Sequence, residues 1–145
     1  MIITNCQDMH LVLAVLRWLE ENIQEVFLSK PAVRVALIIL ETLGAESRNN
    51  QAWAARLDKF ILHLTKPEVR REISYHDYSI LKLHFEDLIV TAALHPTGYL
   101  LAKLVVSMLE LITEATRQEM RNCLARSVDL IRTSKTGIAV LKALE

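Results

Sequence analysis

Glycine and proline are scarce in this chain, with three of each in 145 residues. Tight β-turns are built largely from those residues, so the shortage argues against an all-β chain. Cysteine is scarcer still. Cys6 and Cys123 are too far apart in sequence to suggest a metal spacing, and two cysteines make no disulfide framework. Both read as reduced, partly buried thiols. Glycines at 44, 98 and 137 leave little for a phosphate cradle, and there is no Gly-rich nucleophile turn. The expectation is a protein that is not an enzyme and carries no metal or cofactor.

A surplus of one charge is also missing. Seventeen acidic residues balance 17 basic ones, for a formal net charge of zero. Nucleic-acid-binding domains usually carry a basic excess, because phosphate contacts supply much of the affinity, so RNA is disfavoured as a partner. Long hydrophobic runs are absent as well. The longest stretch free of Asp, Glu, Lys and Arg is 88–102, 15 residues broken by His95-Pro96. A bilayer-spanning helix needs about 20. The N-terminus has no basic leader region, and its first apolar run carries Arg17, Glu20 and Glu21. The reading is a soluble intracellular protein, cytoplasmic or nuclear, with no membrane partner.

What is present favours helix. Hydrophobic residues make up 52% of the chain, and Leu, Ala, Glu, Lys and Arg dominate. We expect an all-α fold of seven to eight helices in a single domain, 1–145, arranged as a short helical-repeat stack or an irregular bundle. Asp8 caps the first helix, which runs to about Leu28. Ser29 caps the second, with Pro31 in its first turn and Gly44 as its stop. A polar loop over 45–50 leads to a third helix, about Gln51 to Leu64, with Trp53, Leu57, Phe60, Ile61 and Leu64 on one face. Thr65 with Glu68, and Ser74 with Asp77, have the spacing of capping boxes. They predict a short helix and then a longer one from Tyr75 to Leu94, stopped by His95-Pro96. Helices over about 97–113 and 116–132 follow, and Ser134 caps the last.

One short phrase recurs. Ser29-Lys30-Pro31-Ala32-Val33, Thr65-Lys66-Pro67-Glu68-Val69, His95-Pro96-Thr97-Gly98-Tyr99 and Ser134-Lys135-Thr136-Gly137-Ile138 start 36, 30 and 39 residues apart. A period in the thirties is the mark of a helical-repeat array. The phrases at His95 and Ser134 resemble the start of the second main helix in Pumilio-type (PUF) repeats, with Gly98 and Gly137 in the family's glycine position. The Ser29 phrase fits more loosely, and the Thr65 phrase departs through Glu68 and Arg71. Armadillo- and HEAT-type scaffolds share the general pattern.

The PUF resemblance implies a one-base-per-repeat reading of RNA by side chains just after the glycine. Those positions are Val33, Arg34 and Leu37; Tyr99, Leu100 and Lys103; and Ile138, Ala139 and Lys142. Arg34 and Tyr99 offer stacking groups, and Lys103 and Lys142 can reach phosphate. None is the Asn, Ser or Gln that base reading requires. Arg34, Tyr99, Lys103 and Lys142 are therefore the candidate partner- or RNA-contacting residues.

His76, Asp77, His84 and Asp87 form the densest group of potential ligands. On a helix, His84 and Asp87 would share a face, but His76 would sit about two turns away. These residues read as solvated or capping groups. Arg117 lies three residues from Glu114 and suits an ordinary intrahelical pair. The apolar excess near 11–19, 35–43 and 100–111 is the stronger functional clue. Some of that surface is expected to meet another chain. The reading that follows is a non-catalytic interaction module, an adaptor or complex subunit, presenting an apolar helical groove to a partner protein. A homo-oligomer is the variant in which the partner is a second copy, and a degenerate PUF-like RNA binder is the alternative.

Overall fold

A computed structural model describes the backbone of residues 9–73 and 81–144, and the side chains of 10–66 and 87–144. The fold is all-α in its body. Among the described residues the helices are α1 (Met9–Glu21), α2 (Ile23–Leu28), α3 (Lys30–Ser47), α4 (Gln51–Leu64), α5 (Leu88–Leu94), α6 (Tyr99–Ser107), α7 (Glu114–Arg126), α8 (Val128–Ile131) and α9 (Lys135–Leu144). A single 3-10 turn, Leu109–Leu111, links α6 to α7. Two strands, β1 (Pro67–Ile73) and β2 (Leu81–Asp87), form an antiparallel ribbon between α4 and α5.

Three of the four recurring phrases start helices with a side-chain acceptor that takes hydrogen bonds from free backbone N–H groups. Ser29 Oγ accepts from Ala32 N at 3.3 Å, with Pro31 in the first turn of α3. Ser134 Oγ accepts from Gly137 N at 3.4 Å. His95 Nδ1 accepts from Thr97 N at 3.0 Å and Gly98 N at 3.2 Å. Asn50 Oδ1 accepts from Ala52 N at 2.9 Å and starts α4.

The fourth phrase does the opposite. Thr65 is the C-cap of α4, and its hydroxyl donates to Leu62 O at 2.6 Å. The expected capping box with Glu68 does not form, because Glu68 lies in β1. Pro67, which has no N–H to donate, opens that strand, a position a ribbon tolerates. The short helix expected after Thr65, and the stretch 81–87 of the helix expected next, are thus replaced by the two strands. Its register pairs Pro67 with Asp87, Val69 with Phe85 and Ile73 with Leu81. Leu88 N donates to Lys66 O at 3.0 Å and closes the base. The pairs Ser74–Asp77 and His76–Asp77, the Asp8 cap and Cys6 lie outside the described residues.

The core is continuous and centred on α5. Leu88 to Ala93 are six successive buried residues, so this helix is covered on every side. It packs against α6, α9, α7, α4 and α8. That position explains the charge-free stretch that begins at Leu88. Around it, α4 buries Trp53, Leu57, Phe60, Ile61 and Leu64, the face its periodicity indicates. Fully burying each of those side chains contributes about 1.5–3 kcal/mol.

Two helix boundaries also move. The first helix breaks at Asn22, whose φ of −121° is not helical. Its side-chain Nδ2 donates to Trp18 O at 2.9 Å, competing locally with the helical ladder. Gly44 does not stop α3, which continues to Ser47. Gly44 is buried within the helix, where a β-carbon would lie 2.6 Å from Met108 Cε.

Candidate interaction surface

Among the described helices, α6 packs against both α3 and α9. Two glycines set the α3–α6 alignment. Gly98, just before α6, faces Phe27, just before α3, and a β-carbon on Gly98 would lie 3.1 Å from Phe27 Cβ. Gly44, near the end of α3, faces Met108, the C-cap of α6. Heads meet heads and tails meet tails, so the two helices run parallel. Gly98 has an ordinary helical φ of −64°. Its value here is the close approach it permits.

Each of the three helices leaves apolar side chains outside the core. Val35 and Ile38 on α3 are 36% and 44% exposed; Leu100 on α6 and Ile138 on α9 are each 40% exposed. A cation stands close by in each helix: Arg34 beside Val35, Lys103 three residues from Leu100, and Lys142 four residues from Ile138, all exposed. Helical spacing keeps Lys103 with Leu100, Lys142 with Ile138, and Arg34 with Ile38 four residues on, each on one face. Of the four residues picked out from sequence, Arg34, Lys103 and Lys142 are therefore on the surface. Tyr99 is half-buried and packs against the core. Among the described residues α1 also exposes Leu11 and Trp18, at 44% and 48%.

The C-terminal halves of α3 and α6 bound a groove of about 440 Å³. Its lining mixes Leu104 and Leu111 with Glu41, Arg48, Ser107 and Glu110. The groove is amphipathic, so a purely apolar ligand would leave charged rims poorly matched.

Other polar groups hold elements together. Asp58 of α4 ties down the start of α7: its Oδ1 accepts from Thr113 N and Thr113 Oγ1, each at 2.9 Å, and its Oδ2 accepts from Thr116 Oγ1 at 2.9 Å. Arg117 pairs with Glu114 at 2.6 Å and also donates to Leu109 O and Ile112 O, at 2.9 and 3.1 Å. The intrahelical pair foreseen from spacing is thus one part of a guanidinium that closes the 3-10 turn. Arg56 of α4 and Glu20 of α1 form an ion pair at 2.5 Å.

Cys123 is buried and its thiol donates to Thr65 O at 3.4 Å. Arg126 donates from Nη2 to Cys123 Sγ at 3.3 Å and to Asp87 Oδ2 at 3.2 Å. Burial, and then the Asp87 carboxylate, push the thiol up to about 12. A thiol with that affinity for its proton offers almost no thiolate near neutrality, and the thiolate is the nucleophile. His84 lies in β2 opposite Arg70, and Asp87 ends the strand. Both lie in a strand and not on a helix, which corrects the shared helical face expected for them. Among the described residues no three or more His, Cys, Asp or Glu side chains are grouped to hold a metal ion. No described helix is long and apolar enough to cross a membrane.

Comparison with known proteins gives no match to a family model, a curated protein or a solved structure.

Proposed function

We propose that this chain is a non-catalytic interaction module, an adaptor or complex subunit of the cytoplasm or nucleus, that receives a partner protein on the α3–α6–α9 surface. The observation that carries this reading is the set of exposed aliphatic side chains, Val35, Ile38, Leu100 and Ile138, on α3, α6 and α9, of which α6 packs against both others. Isolated exposed apolar residues are normal, but apolar side chains distributed over neighbouring helices are what an interface core needs. The flanking Arg34, Lys103 and Lys142 would form a polar rim and favour an acidic margin on the partner.

The test uses a quadruple variant, Val35→Ser, Ile38→Ser, Leu100→Ser and Ile138→Ser. All four positions are exposed, so the fold should survive. The wild type is expected to retain one protein from lysate in near-stoichiometric amount and the variant to lose it. Equal retention by both rejects this surface.

A second reading rests on the same three cations. One exposed Arg or Lys on each neighbouring helix suits phosphate contacts by a helical-repeat array with degenerate base readout. This reading predicts salt-sensitive RNA binding that the Lys103→Glu/Lys142→Glu variant abolishes. No binding at low salt, or unchanged binding in the variant, removes it.

A further inference from the structure

The first and last helices of the described chain carry opposite charge. α1 packs chiefly on α2, α3 and α4, and α8 on α5, α7 and α9. The two have no main packing partner in common and lie on different flanks of the body. Among the described residues α1 and α2 hold Glu20, Glu21 and Glu25 against Arg17. By contrast α8, α9 and the turn between them hold Arg132, Lys135 and Lys142 against Asp129. A chain with no formal net charge is thus acidic on one flank and basic on another. Glu20 is held by Arg56. Glu21, Glu25, Arg132 and Lys135 are exposed.

Each flank also leaves one large apolar side chain in water. Trp18 of α1 is 48% exposed and Leu130 of α8 is 49% exposed. Glu21 follows Trp18 by three residues and shares its helix face. Glu21 and Glu25 both line a shallow hollow of about 210 Å³ where α1 gives way to α2. On the basic flank, Thr133 N and Thr133 Oγ1 both donate to Leu130 O, at 3.1 and 2.6 Å. The turn that carries Arg132 is thereby held close to Leu130, and Lys135 opens α9 directly after it.

We propose that copies of this chain associate head to tail, the Trp18 flank of one against the Leu130 flank of the next, with the partner's Arg132 and the partner's Lys135 facing Glu21 and Glu25. Charge selects this occupant. A two-fold contact of the Trp18 flank with itself brings Glu21 and Glu25 against the same carboxylates. A two-fold contact of the Leu130 flank brings Arg132 and Lys135 against the same cations. Like-charge juxtaposition across an interface is costly. Of the three combinations, the head-to-tail contact alone joins opposite signs. Tryptophan is enriched at the energetic centres of interfaces, and the partner's Leu130 gives it an apolar surface to cover. A heterologous contact leaves one flank free at each end, so assembly continues past the dimer unless its rotation closes a ring. Val35, Ile38, Leu100 and Ile138 take no part, so this inference and the proposed partner surface can fail separately.

The test is the mass of the full chain by sedimentation and light scattering, from low to high micromolar concentration. The wild type is expected to rise from 16.5 kDa with concentration and to fall back as sodium chloride is added, because exposed charges are screened. Two variants each disable one flank: Trp18→Ser/Glu21→Ser and Leu130→Ser/Arg132→Ser. All four residues are exposed, so both variants should stay folded, as checked by thermal melts. Alone, each should associate about tenfold or more weakly than the wild type. Mixed, they should form a one-to-one dimer that grows no further, because one intact head then meets one intact tail. A wild type that stays monomeric throughout, or a mixture no heavier than its separate components, overturns the proposal.

Discussion

Gly137, in the first turn of α9, lies so close to Ile131 that a β-carbon on it would fall inside the carbonyl oxygen's contact radius, with Ile131 Cγ2 2.8 Å away. The obstacle is backbone, which cannot swing aside. Gly137→Ala should cost about 1–3 kcal/mol by overpacking, read as a lower urea midpoint with an unchanged slope. Gly44→Ala is the matched contrast. Its obstacle is Met108 Cε, the end of a flexible side chain. Alanine also favours a helix interior over glycine by about 1 kcal/mol. Gly44→Ala should therefore be neutral or mildly stabilising.

His95→Ala removes the acceptor that serves Thr97 N and Gly98 N. The loss should resemble that of other N-caps, about 0.5–2 kcal/mol. His95→Asn, which keeps a short acceptor, should recover most of it. Equal stability of wild type and the alanine variant in thermal melts would show that the cap contributes nothing.

Asp58→Ala removes the acceptor of three hydrogen bonds and unties the start of α7 from α4. A loss of about 1–3 kcal/mol is expected, in the range for bonds to a charged group. Amide exchange at Thr113 and Thr116 should accelerate in the variant. Unchanged exchange there would contradict the clamp.

Cys123 should resist alkylation in the folded chain at neutral pH and react only on unfolding, measured in a Cys6→Ser background. Its folded-state value of about 12 lies above the ordinary 9.0. The folded state therefore holds the proton more tightly. The stability this contributes is complete below the unfolded value and is lost as pH rises from about 9 towards about 12. Fast labelling at neutral pH would place the thiol in a different setting.

Much of the helical body is legible in the residues themselves. The apolar face of α4 follows from its spacing, and Ser29 and Ser134 cap as their chemistry suggests. The surface positions of Arg34, Lys103 and Lys142 follow from helical phase. Tyr99 was less legible, because whether a ring at the start of a helix packs inward depends on its neighbours. The Thr65 phrase shares its grammar with Ser29, yet Thr65 ends a helix that is already running. A short phrase does not record what precedes it. Gly44 reads as a stop until Met108 is seen against it. The ribbon did leave a signal, the strict alternation from Leu81 to Glu86, which has the period of a strand. It was obscured by the apolar helix that follows it directly.

The central claim is that the α3–α6–α9 surface receives a partner, and quantitative capture tests it most directly. Wild type and the Ile38→Ser/Leu100→Ser variant are immobilised at equal density and exposed to the same lysate, and retained proteins are counted by mass spectrometry. The account predicts one protein held near one-to-one by the wild type and lost by a variant whose melting temperature is unchanged. The same proteins in the same amounts on both surfaces would contradict it.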